Sequence, residues 1–389
     1  MTTAWRVPFV RPDVPAYAEV STAIERAVSS GMLTKGPELA ELEAEAAAAL
    51  GVRHVVGVSS CTIGVALVLK ALRPSDRGPH TECADYGRSH TADSPEIILP
   101  SFNFLAAPGA VVWAGFTPVF VEVDPHTFTL DPAAAAAAIT DRTAAIMACH
   151  TFGCPCDISA LETVAARAGV PLLVDAAHGL GTQVQGVQVG AGGLAQIFSL
   201  SPTKLVVAGE GGLVATNDSA LADAVRVGRE YGNDGQYGCT VPGLNGRLPE
   251  ISAILARASL ARLPEVAARR RAAAEAYVAA LADLPGIGLQ RIPPGATSSW
   301  KDFVVTIDAG RFGASRDSVR RRLADAGIDT RAYYDPACHQ MEAFRRFVRP
   351  GQSLPITDRL AATALALPLG AHVTPDVARS VAHVIRARV

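Results

Sequence analysis

The chain is predicted to be an α/β protein, with a mostly parallel seven-stranded sheet in a large domain and a smaller α/β domain after it. Three observations carry this expectation. Short apolar runs alternate with amphipathic stretches through the first two thirds of the sequence, as strands joined by crossover helices require. The 389 residues exceed what one hydrophobic core usually holds, so two domains are expected. Ser60, Asp175 and Ser199 fall at or near the carboxyl ends of expected strands, where ligands of such sheets tend to bind.

The elements follow in order. Residues 1–30 read as an arm and a first helix laid against the body. The large domain, residues 31–264, has expected strands at His54–Val58, Glu96–Leu99, Pro118–Val123, Ala145–Cys149, Leu172–Val174, Ile197–Leu200 and Leu213–Thr216. Between them lie expected helices at Pro37–Leu50, Ile63–Leu72, Phe104–Trp113, Ile158–Ala168 and Ser219–Arg229. Asp131-Pro132 supplies an N-cap and a first helical position for the alanine run Ala133–Ala138. Arg73–Pro95 is polar and rich in turn formers, and reads as an insertion.

From Glu250 to Leu284 the pattern is nearly all helix, interrupted at Pro264 and closed by Pro285-Gly286, long enough to join two domains. In the smaller domain, residues 265–389, Phe303–Ile307 reads as a strand and Ser315–Ala326 as a helix ending at Gly327. Arg331–Tyr334 reads as a short strand and Thr374–Arg386 as the last helix.

Composition narrows the function. Hydrophobic residues make up 49% and charged residues 19%, as in a well-filled globular enzyme. A formal net charge of −2 leaves no basic excess for a nucleic-acid partner. The first residues lack the apolar stretch of a signal peptide, and no run of about 18 apolar residues would span a membrane. Seven cysteines, an odd number, fit free thiols in a reducing cytoplasm.

The segment Pro171–Asn217 carries the chemistry. Asp175 closes the apolar run Leu172-Leu173-Val174, and His178 follows three positions on. Lys204 is preceded by Ser199 and Ser201, has no acidic neighbour in the five residues before it, and is followed by Leu205-Val206-Val207 and a Gly-Glu-Gly-Gly. A lysine that forms a Schiff base must be neutral, which burial or a nearby cation achieves. This is the equipment for pyridoxal phosphate (PLP) held on Lys204, with Asp175 facing the pyridine nitrogen and hydroxyls facing the phosphate. Ser59-Ser60-Cys61-Thr62, between a strand and an apolar helix, offers amides and hydroxyls at a helix N-terminus, a ready anion site. Phe104 is a candidate plate against the cofactor ring. Taken singly, each of these residues has an ordinary explanation as a cap, a turn or core; together they do not.

The ordered motifs SSCT, PSFNF, VDAAHGLG, FSLSPTK, GEGG and GLNGRLPE resemble the DegT/StrS family of sugar aminotransferases, which are fold-type I PLP-dependent transferases. The likeness runs from SSGMLTKGPELAELE to GIDTRAYYDPACH. It implies that Lys204 carries the internal aldimine and Asp175 pairs with the pyridine nitrogen, the two catalytic residues. It also implies that His178 lies near the ring oxygen, that Phe104 stacks on the ring, and that Ser60, Cys61, Thr62 and Ser199 hold the phosphate. Asn245, with Arg247 near it, would reach the phosphate of a partner chain, so a homodimer with shared sites is implied.

Two departures stand out: the family's SGT is SCT here, which places the Cys61 side chain where glycine allows close approach, and the Arg73–Pro95 insertion is long. Relatives that dehydrate sugars replace the lysine with histidine; this chain keeps Lys204, which favours transamination.

The expected activity is transfer of an amino group from glutamate or glutamine to a nucleotide-linked keto sugar or related cyclic keto polyol, through pyridoxamine phosphate, in ping-pong order. Amino-sugar and antibiotic biosynthesis is the implied setting. Alternatives are a PLP-dependent dehydratase or epimerase on a similar sugar, and a catalytically idle regulatory relative. Tyr231, Tyr237, Arg331, Tyr333, Tyr334 and His339 are candidates to bind the sugar nucleotide. Cys149, His150, Cys154 and Cys156 cluster without a usual zinc spacing, so no metal site is expected. Arg269–Arg271 and Arg320–Arg322 read as solvated faces or dimer salt bridges.

Overall fold

In the computed structural model, residues 5–72, 94–233 and 235–387 are described. Apart from Ser94 and Pro95, the Arg73–Pro95 insertion lies outside them, as do His80, Cys83 and His90. All seven expected strands form one sheet, in the order His54–Val58, Gly212–Thr216, Ala195–Ser199, Leu172–Asp175, Thr143–Cys149, Glu96–Pro100, Thr117–Val121. Gly212–Thr216 runs antiparallel to both its neighbours. The remaining pairs are parallel.

Six strands therefore point their carboxyl ends the same way. Both faces of the sheet are covered, and side chains alternate between them at a period of two. Val55, Ile98, Ile146, Val174, Phe198 and Leu213 pack in one core with Leu42 and Leu161. Their sequence neighbours Val56, Ile97, Met147, Leu173, Ile197 and Val214 pack in the opposite core with Val68 and Val111.

The smaller C-terminal α/β unit has a three-stranded antiparallel sheet, Ile287–Leu289, Phe303–Ile307 and Ala364–Leu367. Its core joins Tyr277 of the helix Leu263–Leu281 to Val305, Leu367 and Val381 of the last helix, Pro375–Arg386. Here one expectation is corrected. Arg331–Tyr334 is not a strand: Arg331 makes a single bridge to Ala366, and the chain then turns. The strand is Ala364–Leu367, whose ALAL sequence carries helical propensity that burial overrides.

The long helical stretch is two helices, Glu250–Ala261 and Leu263–Leu281, divided at Arg262 just before Pro264. A second correction concerns the helix after His54–Val58. It begins at Cys61, so Cys61 and Thr62 are its first turn rather than a preceding loop, and Ser60 is its N-cap.

One small device was not anticipated. Gln183–Val184 and Val187–Gln188 form a hairpin whose two turn residues, Gln185 (φ 53) and Gly186 (φ 76), both have positive φ, as a two-residue turn of primed type needs. Ala296–Thr297 pairs with this hairpin and so brings residues 298–302 to the sheet's carboxyl edge. Among the described residues no helix is long and apolar enough to cross a membrane.

Candidate active site

At the carboxyl edge of the sheet lies a cavity of about 200 Å³. It is lined by eight of the nine residues selected from sequence: Ser60, Cys61, Thr62, Phe104, Asp175, His178, Ser199 and Lys204. Larger hollows of about 330 and 510 Å³ exist elsewhere, at Leu180 and Leu263 and at Glu38 and Arg257, but neither surrounds a buried nucleophile. The ninth residue, Asn245, is exposed, bridges to Glu230, and does not line the cavity of its own chain.

One end of the cavity is an anion cradle. Ser60 Oγ accepts the Ile63 amide at 3.1 Å and caps the helix Cys61–Ala71. The first-turn amides of Cys61 and Thr62 have no intrahelical acceptor, which is the usual state of a helix N-terminus and the source of its affinity for anions. Ser199 Oγ sits across from them, with the Ser201 amide 3.4 Å away. The close approach depends on Gly212: a Cβ there would lie 2.6 Å from the Cys61 nitrogen and 2.7 Å from the Ser60 carbonyl carbon. Cys61 departs from glycine without filling the cradle, because its thiol turns toward the sheet and donates to the Ile197 carbonyl at 3.4 Å. Burial holds that thiol protonated, well above its ordinary value, helped by the negative charge of Asp175.

Asp175 ends its strand and is buried, with Oδ1 accepting the Ala177 amide at 3.0 Å. Burial pushes its carboxyl up, while the Ala177 N–H and the charge of Lys204 pull it back. A positive charge against this oxygen would offset the burial cost.

His178 is fixed by its neighbours. The Phe152 amide donates to Nδ1 at 3.1 Å, so the proton of the neutral ring resides on Nε2. Burial, then the charges of Lys204, Lys301 and His150, hold the imidazole well below its ordinary value. It is therefore a neutral Nε2–H donor. Phe152 stacks on it at 6.4 Å between centroids.

Lys204 follows the Ala195–Ser199 strand by five residues, in a turn held by its own amide on the Ser201 carbonyl at 3.0 Å. Its amine is pushed down to about 8, chiefly by burial and next by the charge of Lys301, against the pull of Asp302, Cys61 and Asp175. The buried Leu205, Val206 and Val207 behind it supply that dry setting. Phe104 stands half-exposed at the cavity wall, its amide held by Asn103 Oδ1 at 2.7 Å.

Sequence patterning missed several neighbours. Cys149 is the register partner of Asp175 and lines the cavity, but sequence spacing had grouped it with Cys154 and Cys156. His150, from the same group, is a core histidine: Nδ1 accepts the Cys156 amide at 3.2 Å and Nε2 meets Gln196 Oε1 at 3.4 Å. Asn103 and Glu210 also line the cavity. Lys301 and Asp302, just after the Ser299 that donates to the His178 carbonyl, are buried and had no local signal at all.

Comparison with known proteins settles the class. Residues 16–386 match the model of the DegT/DnrJ/EryC1/StrS aminotransferase family. The chain belongs to that family. It is 37% identical over 387 residues to dTDP-3-amino-3,4,6-trideoxy-alpha-D-glucose transaminase of Streptomyces venezuelae, covering 98% of this chain and 96% of that protein. It is 36% identical over 371 residues to the erythromycin biosynthesis sensory transduction protein EryC1 of Saccharopolyspora erythraea, covering 95% of each. The crystal structure of DesI with its TDP-sugar product superposes with a TM-score of 0.88 at 36% identity, over 98% of this chain and 93% of DesI. The family is one of aminotransferases, and this chain shares the fold of DesI and is an enzyme of the aminotransferase class.

Proposed function

We propose that the chain transfers an amino group from glutamate or glutamine to a nucleotide-linked keto sugar, or a related cyclic keto polyol, with PLP as cofactor. The observation that carries this is the convergence of Lys204, Asp175 and the Ser60–Thr62 cradle on one cavity. The residues suit PLP: a nucleophilic amine, a buried carboxylate in want of a cation, and a helix N-terminus with hydroxyls for a phosphate. Sugar specificity is supported by the name of the Streptomyces venezuelae transaminase. Bound there, PLP would supply an electrophilic aldehyde and an electron sink that acidifies the α C–H of an amino donor.

This chain's residues do the rest. Lys204 Nζ, its amine pushed down to about 8, would be the residue that holds the cofactor's aldehyde and that takes and returns a proton during the transfer. Asp175 holds negative charge at the floor of the cavity. The Nε2–H of His178 donates to a developing oxyanion. Ser60, Thr62 and Ser199 orient the phosphate, and Phe104 closes one wall.

The exposed Asn245 fits a site completed by a second copy of the chain, as a homodimer with two shared sites. A cytoplasmic setting suits free thiols. An idle regulatory role is the second reading, favoured by the name of EryC1. One experiment separates the two. Purified protein loaded with PLP should be yellow, and glutamate should bleach that band in a single turnover. A keto sugar should then restore the band and emerge with an amino group in place of its carbonyl oxygen, identified by mass. Colour without bleaching supports the idle reading, and loss of water from the sugar without gain of nitrogen supports a dehydratase.

A further inference from the structure

Asn103 lines the cavity, is 2% exposed, and was not selected from sequence. Its Oδ1 accepts the Phe104 amide at 2.7 Å. Only the oxygen of a carboxamide accepts, so the side chain has one orientation and its NH2 is the remaining end. Among the described residues no group accepts from that NH2, which is open to the cavity rather than sealed in the core. A donor held this deep without a protein acceptor keeps the cost of its lost hydration until a ligand supplies one.

The residue is also anchored. The single helical turn Cys338–Gln340 lies against its segment. The Cys338 amide donates to the Ser101 carbonyl at 3.0 Å, and the Cys338 thiol donates to the Asn103 carbonyl at 3.1 Å. The His339 amide donates to Ser101 Oγ at 3.0 Å. His339 Nε2 meets Asp358 Oδ1 at 3.1 Å, so the neutral ring carries its proton there, and Nδ1 accepts the Ser101 hydroxyl at 2.7 Å. Ser101 is fully buried, so this serine, histidine and aspartate offer no nucleophile to a substrate. They fix the backbone from which Asn103 projects.

Strand order says which part of a ligand the NH2 meets. Along the sheet's edge, Ser60 follows the first strand, Ser199 ends the third, Asp175 ends the fourth, and Asn103 follows the sixth. The phosphate cradle thus lies on one side of Asp175 and Asn103 on the other. In PLP the ring edge bearing the hydroxyl is opposite the edge bearing the phosphate arm. With the phosphate in the cradle and the ring nitrogen toward Asp175, the hydroxyl edge would turn toward Asn103.

We propose that Asn103 is a cofactor-contacting residue: its NH2 donates a hydrogen bond to the ring hydroxyl oxygen of PLP, as a second donor beside His178 Nε2–H. The proposal rests on the PLP-dependent function given above. It assigns to Asn103 a role apart from holding the Phe104 amide, and the two roles separate by experiment.

PLP and its analogue lacking the ring hydroxyl are titrated by absorbance into the full-length chain and two variants. Asn103→Asp keeps the shape and the Phe104 contact but replaces the donor by an acceptor. Asn103→Ala removes contact and donor together and adds no charge. In each variant, PLP affinity should fall about tenfold further than that of the analogue. Loss of the Phe104 contact, or a new charge felt by Asp175, weakens both ligands alike and cancels from the comparison.

Equal losses for the two ligands, or no loss for PLP, overturn the proposal. Should one variant fail to fold, the same comparison in the other decides. An unsubstituted chain that binds neither ligand sinks the PLP-dependent function and this contact with it. A chain that binds both, with variants that do not tell them apart, sinks the contact alone.

Discussion

For the proposed reaction the amine at position 204 must be neutral and must lie close to a carboxylate. Burial achieves the first, bringing the amine to about 8, and the parallel strands achieve the second by ending Asp175 beside it. Lys204→Ala should lose the yellow band that borohydride fixes to the chain, and with it at least 10²-fold in turnover, the low end of what a positioned acid–base group contributes. Asp175→Asn keeps the shape and removes the charge, so it should retain the fold while losing about 10²–10³-fold in turnover. An unimpaired Lys204→Ala enzyme would end the proposed mechanism.

At this scale the sequence was informative because both residues announce themselves locally, one at the end of an apolar run and the other in a hydroxyl-rich turn. Lys301 and Asp302 do not. They precede the expected strand Phe303–Ile307, and the pairing of Ala296–Thr297 with the hairpin at Gln183–Gln188 leads their segment to Ser299, which donates to the His178 carbonyl.

The elements matter through how their ends meet. Gly212 begins the one antiparallel strand of the sheet, and its missing side chain lets the Ser60–Cys61 turn lie directly against it. Gly212→Ala would place a methyl group 2.6 Å from a backbone nitrogen that cannot rotate away. The cradle would have to move, at a cost of about 1–3 kcal/mol in stability, and its amides would no longer converge on a phosphate. The expected outcome is a lowered melting temperature together with a PLP affinity reduced at least tenfold, measured by absorbance titration. Unchanged affinity would show that the amides of Cys61 and Thr62 do not hold the phosphate.

The strand positions and the main helices were legible, since strands covered on both faces read as short continuous apolar runs such as His54–Val58 and Leu172–Asp175. Ala364–Leu367 was not, because an alanine-leucine run favours helix until tertiary packing imposes a strand. The start of the helix at Cys61 was also shifted by two residues, because a first turn and a hydroxyl-rich loop share the same residue types.

For the whole molecule, the residue that did not converge is the informative one. Asn245 was selected with the others, yet it is exposed and outside the cavity of its own chain. Its segment is flanked by further surface apolar side chains, Tyr231, Tyr237 and Val241, with Met32 and Leu33 also exposed elsewhere on the chain. If two copies pair about a twofold axis, each Asn245 serves the other copy's cavity, and each site is built from two chains.

Asn245→Asp would then set a carboxylate against the phosphate and weaken PLP binding without disturbing Lys204. Neither Lys204→Ala nor Asn245→Asp should be active alone. Mixed after subunit exchange, they should recover activity: in a mixed dimer one site inherits both defects and the other inherits neither. Equal mixing makes half the dimers mixed, each with one working site of two, so roughly a quarter of wild-type activity should return. Native mass spectrometry would verify the exchange. Mixed dimers without activity would mean that each cavity is complete within one chain and that Asn245 faces something other than a partner's cofactor.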